Sequence, residues 1–200
     1  MKHDDYTHII FVLDASGSMR TIQSDIKGSF NAFLDKQREE SGKTVFDLFQ
    51  FNNTVKRIVK SADLALFHDD LMAKYECSGC TALNDAVCTA IDTVGHEFAD
   101  MPEENRPEHV LCVIITDGLE NASCDFTTQD VKERIEHQKT KYNWEFVYLA
   151  ADPDAFDAGE DLGFDNKSCM AFSHDHEGVE FLCEYMNCCM NAIRKKPRKK

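Results

Sequence analysis

Five residues in three short segments carry oxygen donors of the kind that hold a hard divalent cation. Asp14, Ser16 and Ser18 stand in Asp14-Ala15-Ser16-Gly17-Ser18-Met19, Thr81 closes Ser78-Gly79-Cys80-Thr81, and Asp117 opens Asp117-Gly118-Leu119-Glu120-Asn121. Two carboxylates and three hydroxyls form an all-oxygen set, which magnesium, calcium and manganese select. Magnesium suits it best, because that ion keeps several waters and is held by only one or two carboxylates. The same residues also have a plainer use. Ser16 and Ser18 would cap the following helix, while Asp14 and Asp117 would make turn hydrogen bonds. Capping needs one such residue, whereas five gather here.

The hydropathy pattern brings these segments to one edge. Residues 8–13 (HIIFVL) and 109–116 (HVLCVIIT) are continuous apolar runs of strand length, as in strands covered on both faces. Residues 44–51 alternate as a strand, Asn52-Asn53 reads as a hairpin-like turn, and 54–59 reads as the returning strand. Residues 144–150 read as a strand and 168–173 as a weaker one. Helical spacing runs over 22–39, 82–99 and 177–194, with a shorter piece at 153–162. Thr127 to Asp130 has the form of a capping box, starting a helix that reaches about Tyr142. Strands alternating with helices predict an α/β domain, doubly wound and Rossmann-like. Its sheet is mostly parallel with one antiparallel edge strand, and helices cover both faces. Ligands of such sheets bind beyond the carboxyl ends of the strands, where all three segments fall.

A D-x-S-x-S run ending a buried strand, followed in order by a lone Thr and a strand-ending Asp, resembles the metal-ion-dependent adhesion site of von Willebrand factor type A domains. The order of elements fits that family from residue 8 to about 193. The resemblance implies that Ser16, Ser18 and Thr81 act as hydroxyl ligands, and that Asp14 and Asp117 often act through coordinated water. It implies a Mg2+-dependent protein-interaction module, with Mn2+ or Ca2+ as substitutes, in which an Asp or Glu of a partner protein completes the ion. It also implies the stand-alone intracellular type found in bacteria and phages. Cys80 departs from the pattern, since Gly or Ser is expected directly before the Thr.

Composition frames the rest. Two hundred residues make one domain, expected over 1–193, with a basic tail over 194–200 (RKKPRKK). Acids outnumber Lys and Arg by 36 to 22, a net charge of −14. Six of those 22 cations lie in the last seven residues, which leaves 16 against 36 and a body at −20. Such a body repels nucleic acid, so any polyanion contact is weak and confined to the tail. No run approaches the ~20 apolar residues of a membrane span. The polar start MKHDDYTHII is not a secretory signal, so the expected compartment is the cytoplasm.

The remaining reactive residues read as structural. Nine cysteines, odd in number and irregular in spacing, read as reduced packing residues, including Cys183, Cys188 and Cys189 on the last helix. Cys77-Ser78-Gly79-Cys80 matches a zinc or redox pair but lacks a second pair of ligands. His174-Asp175-His176 reads as a solvated turn. Asp85 either orients a ligand or serves its helix dipole, and Glu120 and Asn121 either shape their loop or form a rim. The enzymatic alternative is a Mg2+-dependent phosphotransferase or hydrolase with Asp14 as nucleophile. It meets Ser16 where a second acid is expected, and only Arg20, expected inside the first helix, as a nearby cation.

Overall fold

The two continuous apolar runs become the central strands of the sheet. In the computed structural model, which describes residues 6–151, 158–159, 161–165 and 167–196, β1 (Tyr6–Asp14) lies between β2 (Lys43–Phe51) and β4 (His109–Thr116). The full order is β3-β2-β1-β4-β5-β6, with β3 at Val55–Asp63, β5 at Glu145–Ala150 and β6 at Cys169–Ala171. Every pairing is parallel except β2 with β3. As an edge strand, β3 alternates outward Lys56, Ile58 and Lys60 with a single buried residue, Val59, and its lysines discourage further pairing. The doubly wound sheet with one antiparallel edge strand is therefore as the sequence predicts.

Among the described residues, four long helices form the two outer layers. α1 (Gln23–Glu39) and α4 (His176–Arg194) cover one face, burying Phe30, Phe33, Leu182 and Met186 against Ile9, Phe11 and Leu13. α2 (Leu83–Asp100) and α3 (Thr128–Tyr142) cover the other, where Val87, Ile91, Val131 and Ile135 meet Ile10, Val12 and Ile114. Each such side chain contributes roughly 1.5–3 kcal/mol by leaving water, so β1 and β4 are the most firmly held strands. The expected capping box is present: Thr127 accepts from the Asp130 amide while the Asp130 carboxylate accepts from the Thr127 amide. The short helix expected at 153–162 falls largely outside the described residues. β3 runs four residues past its expected end; its register against β2 shifts on either side of the Leu48–Val59 pair, and Ser61 turns with φ 42°. α4 runs through Arg194, which donates to Thr44 Oγ1 at 3.0 Å, so the first residue of the basic run is part of the final helix.

β1 connects through α1 to β2 on one side, and its other neighbour is β4. The sheet order thus reverses between β1 and β4, where the loops leaving their carboxyl ends splay apart and open a crevice. Asp14 ends β1 and Thr116 ends β4, directly at that point.

Candidate metal centre

The segment after β1 does not run straight into helix. Ser18–Thr21 forms a single 3-10 turn, and α1 starts only at Gln23, capped by Ile22 without any side-chain hydrogen bond. The two serines that could have capped a helix therefore point elsewhere. Ser18 Oγ donates to Asp117 Oδ1 at 2.7 Å, and Ser16 Oγ lies 3.0 Å from Ser18 Oγ. Because the Ser18 proton goes to the carboxylate, Ser18 accepts from Ser16. Arg20 lies in the 3-10 turn rather than inside α1, and its guanidinium donates to the Cys77 carbonyl at 3.2 Å.

Asp14 is fully buried. Its Oδ1 accepts from the Ser16 amide at 2.6 Å, and its Oδ2 from Thr116 Oγ1 at 2.7 Å. Burial pushes its pKa up to about 6; the Thr116 and Ser16 hydrogen bonds oppose that rise, and the Asp117 charge adds to it. The Asp117 side chain is 3% exposed, so two carboxylates stand in one crevice with hydroxyls as partners. Thr81 is buried and clamped through its backbone: its amide donates to Asn121 Oδ1 at 2.9 Å, and its carbonyl accepts from the Asn121 amide at 3.0 Å. Gly118 faces the hydroxyls. A Cβ there would stand 3.5 Å from Thr81 Oγ1 and 3.7 Å from Ser18 Oγ, so glycine leaves the space between those donors open. All five residues singled out in the sequence thus converge on the crevice.

The supporting frame uses residues the sequence offered as plain turns. Asn53 Oδ1 accepts from the Cys80 amide at 3.0 Å, and the Asn52 carbonyl accepts from the Ala82 amide at 2.9 Å. Tyr75 is fully buried and donates to the Asp14 carbonyl at 2.5 Å. Asp85 takes neither of its expected roles alone: its carboxylate accepts from the amides of Cys124, Asp125 and Phe126, and so ties down the loop after β4. Glu120 is a loop-shaping residue, accepting from the amides of Asn84, Ala122 and Ser123.

His174 corrects the sequence reading most sharply. Its turn is not merely solvated. Nε2 lies 3.0 Å from Asp117 Oδ2, and Thr21 Oγ1 lies 3.1 Å from Nδ1 and 3.4 Å from Nε2. His176 Nδ1 sits 2.9 Å from Asp25 Oδ1, and Asp175 caps α4 by accepting from the Gly178 amide. Nothing in the local sequence marks this contact, since it spans 57 residues. The cysteines divide: Cys77, Cys88, Cys112, Cys169 and Cys183 are buried, while Cys80, Cys124 and Cys188 are exposed, so Cys188 is not core. Burial pushes the Cys88 and Cys183 thiols up to about 12, which keeps them protonated. Among the described residues no three His, Cys, Asp or Glu side chains are grouped so as to hold a metal ion. The described residues also include no helix long and apolar enough to cross a membrane.

Known proteins match this arrangement at the level of family and fold. No curated protein sequence matches the chain. Among solved structures, the PilB minor pilin of Streptococcus sanguinis superposes with a TM-score of 0.66 at 10% identity, covering 98% of this chain and 65% of its own. The manganese-loaded TRAP protein of Plasmodium vivax gives 0.60 at 15% identity, covering 90% of this chain and 72% of its own. Proximal thread matrix protein 1 from the mussel byssus, in a structure with zinc in its metal-ion-dependent adhesion site, gives 0.61 at 15% identity, covering 98% and 49%. The chain thus spans less than two thirds of the pilin and about half of the byssus protein. At these identities the likeness is one of fold. The von Willebrand factor type A model, by contrast, matches residues 8–181, and the chain belongs to the von Willebrand factor type A domain family.

Proposed function

We propose that this domain is a metal-dependent protein-interaction module. In this reading Asp14, Ser16, Ser18, Thr81 and Asp117 hold a divalent cation, and an Asp or Glu of a partner protein completes its coordination. The observation that carries the reading is the hydrogen-bonded run from Ser16 through Ser18 to Asp117. It joins the ends of two strands through hydroxyls that α1 leaves free of capping duty. The donor set fits a hard cation: two carboxylates, three hydroxyls and, at Gly118, a cradle that a Cβ would fill. A bound cation supplies an electrophilic centre that neutral hydroxyls leave under-neutralised. Thr116 and the Ser16 amide orient Asp14, and Asn121 orients Thr81.

Mg2+ is the cation we assign, with Mn2+ or Ca2+ able to replace it. The manganese and zinc in two of the similar structures support a divalent ion in this family. A binding module is favoured over a Mg2+-dependent phosphotransferase because Ser16 occupies the second-acid position and Arg20 is committed to the Cys77 carbonyl. An odd number of cysteines at irregular spacing fits a cytoplasmic setting. Residues 195–200 form a basic tail outside the interaction function, and its polyanion contacts are weak. The test is capture of partners from a lysate with and without EDTA, alongside titration of Mg2+ into the purified protein. Asp117→Asn should abolish both the heat of binding and the EDTA-sensitive capture. A wild type that binds no divalent ion, or EDTA-insensitive capture, would overturn the reading.

A further inference from the structure

We propose that the cleft between α2 and α3, at the other end of the sheet from the candidate metal centre, binds a small uncharged heteroaromatic ring of the purine class. The cleft has a volume of about 500 Å3, within the range of small-molecule sites. It is lined by Val110, the second residue of β4, and by Trp144, the residue before β5. It therefore sits at the amino ends of these strands, and most of the eight-residue β4, roughly 20–25 Å, separates it from Asp117. The inference does not depend on the metal-centre reading.

The local fold builds the cleft. α3 ends on Asn143 in the left-handed conformation, φ 55°, and the chain doubles back there. The Asn143 and Trp144 amides both donate to the Gln138 carbonyl, the latter at 3.2 Å, which brings Trp144 to the cleft that Gln138 lines. Trp144 is only 5% exposed and packs edge-on against Phe98 of α2, with ring centroids 5.8 Å apart. Gly95 of α2 keeps the intervening space open. A Cβ there would stand 3.2 Å from Gln138 Nε2 and 4.0 Å from the Trp144 ring. Glycine inside a helix weakens it, and here it leaves room between the two helices.

Two uncharged polar groups of the lining are left unanswered. Among the described residues neither the Trp144 indole N–H nor the Gln138 side-chain amide has a hydrogen-bond partner, and neither is sealed from the cleft. Polar groups at so nearly buried a wall need a partner from outside the chain. The charged lining is treated differently, because the chain answers it. Both oxygens of Asp92 accept from Arg134 Nε at 3.0 Å, and Arg106 donates to the Met101 and Ala99 carbonyls at 3.1 Å. Glu133 accepts from Gln129 at 2.8 Å, and Glu108 is also engaged. A ligand without charge suits such a cleft.

The unanswered groups specify the ligand. The indole N–H is a donor only and needs an acceptor, while the Gln138 amide offers donor and acceptor side by side. A carboxamide of this kind pairs in bidentate fashion with the amine and adjacent ring nitrogen of adenine. Tyr142, half exposed and packed edge-on against His137 at 5.6 Å, offers a ring face on which a flat base stacks. A purine supplies several ring-nitrogen acceptors beside an amine edge. A hydrocarbon ring would leave both groups unanswered, and an anion would meet a body at −20.

The test titrates adenosine into the full chain by calorimetry, with fluorescence as a local probe, because Trp144 is the single tryptophan. Saturable binding at one site is expected, with a change in the Trp144 emission and no effect of EDTA or of Asp117→Asn. Gln138→Leu should weaken adenosine by about ten-fold or more, and Tyr142→Ala should weaken it as well. Purine riboside, which lacks the amine, should bind wild type about ten-fold more weakly and lose little further in Gln138→Leu. Gly95→Leu fills the cleft and should abolish binding, with circular dichroism verifying the fold. Should that variant not fold, the Gln138 and Tyr142 variants, at partly exposed positions, carry the test. Three results would overturn the proposal: no saturable adenosine binding, binding indifferent to both Gln138→Leu and Tyr142→Ala, or binding lost in Asp117→Asn, which would put the ligand at the metal edge.

Discussion

Two groups of buried acids lie on the α2–α3 side of the same sheet and are treated oppositely. Near the antiparallel edge, Asp47 is fully buried between His8, whose Nε2 is 2.6 Å away, and Arg57, whose Nε donates at 2.7 Å. The same guanidinium donates to both oxygens of Glu97, at 2.8 and 2.7 Å. At the strand carboxyl ends, Asp14 and Asp117 receive hydroxyls, an amide and one imidazole, and among the described residues no guanidinium or ammonium. One group is neutralised by the chain's own cation and closed. The other has its geometry completed and its charge left open. Side-chain burial alone would not separate them; what separates them is whether the fold supplies the counter-charge.

The strongest way to break this contrast is to remove the cation from the first group and a charge from the second. Arg57→Leu should lose about 3–5 kcal/mol in chemical denaturation, because it strands Asp47 without its partner. Asp14→Asn in metal-free buffer should cost little or stabilise the domain, since it relieves a buried charge and the Thr116 hydroxyl can turn to accept from the new amide. Equal losses in the two variants would erase the distinction.

The pH response should also split. The Arg57 guanidinium beside Glu97 holds its pKa down to about 2, below the ordinary glutamate value of about 4.3. That stabilisation is present above the unfolded value and is lost as pH falls through the folded one. Asp14 has the opposite sign, because its folded pKa is raised to about 6. In EDTA its contribution should favour the fold below the unfolded value of about 3.9 and decline as pH rises toward 6, by roughly 2 kcal/mol. Denaturation between pH 4 and 7 on wild type and Asp14→Asn checks the sign: the variant should flatten the slope.

A smaller effect on stability is expected from Gly118→Ala. Its Cβ would make ordinary contacts at 3.5 and 3.7 Å, so the melting temperature should move by only a few degrees. Divalent affinity should nonetheless fall, because the methyl stands between Thr81 and Ser18. The smallest effect belongs to the tail: removing residues 197–200 should leave thermal stability and divalent affinity unchanged, while weak, salt-sensitive binding to polyanions disappears.

Much of this was legible in the sequence. β1 and β4 announce themselves because both faces are covered, so nothing polar interrupts them. Asp14, Ser16, Ser18, Thr81 and Asp117 are legible as a set because their chemistry is unusual for turns and their positions follow strand ends. The frame is harder to see. Asn53, Asn121 and Tyr75 act through single hydrogen bonds to distant backbone, and their types are ordinary for turns and cores. Asp47 did leave a signal, since it shares a strand face with Val45, Phe49 and Phe51, where an acid needs a buried partner. Its partners Arg57 and Glu97 lie on an edge strand and a helix whose exposed faces are expected to be charged. His174 left none, because its contact depends on how a short strand and the start of α4 are placed.

The backbone around the candidate ligands is stitched together. The Gly17 amide donates to the Gly79 carbonyl at 3.0 Å, the Ser78 amide to the Ala15 carbonyl at 2.8 Å, and the Ala15 amide to the Phe51 carbonyl at 2.7 Å. Gly79 turns with φ +80°, and a Cβ there would stand 2.1 Å from Asn53 Oδ1. The unit that can be transplanted is therefore larger than the motif. Grafting Asp14–Ser18 onto another sheet would carry the donors without their footing, and a chimera that exchanges the β2–β3 hairpin would disturb Thr81 without touching it. Segments 14–18, 51–54, 77–82 and 116–121 have to travel together, as one heritable block.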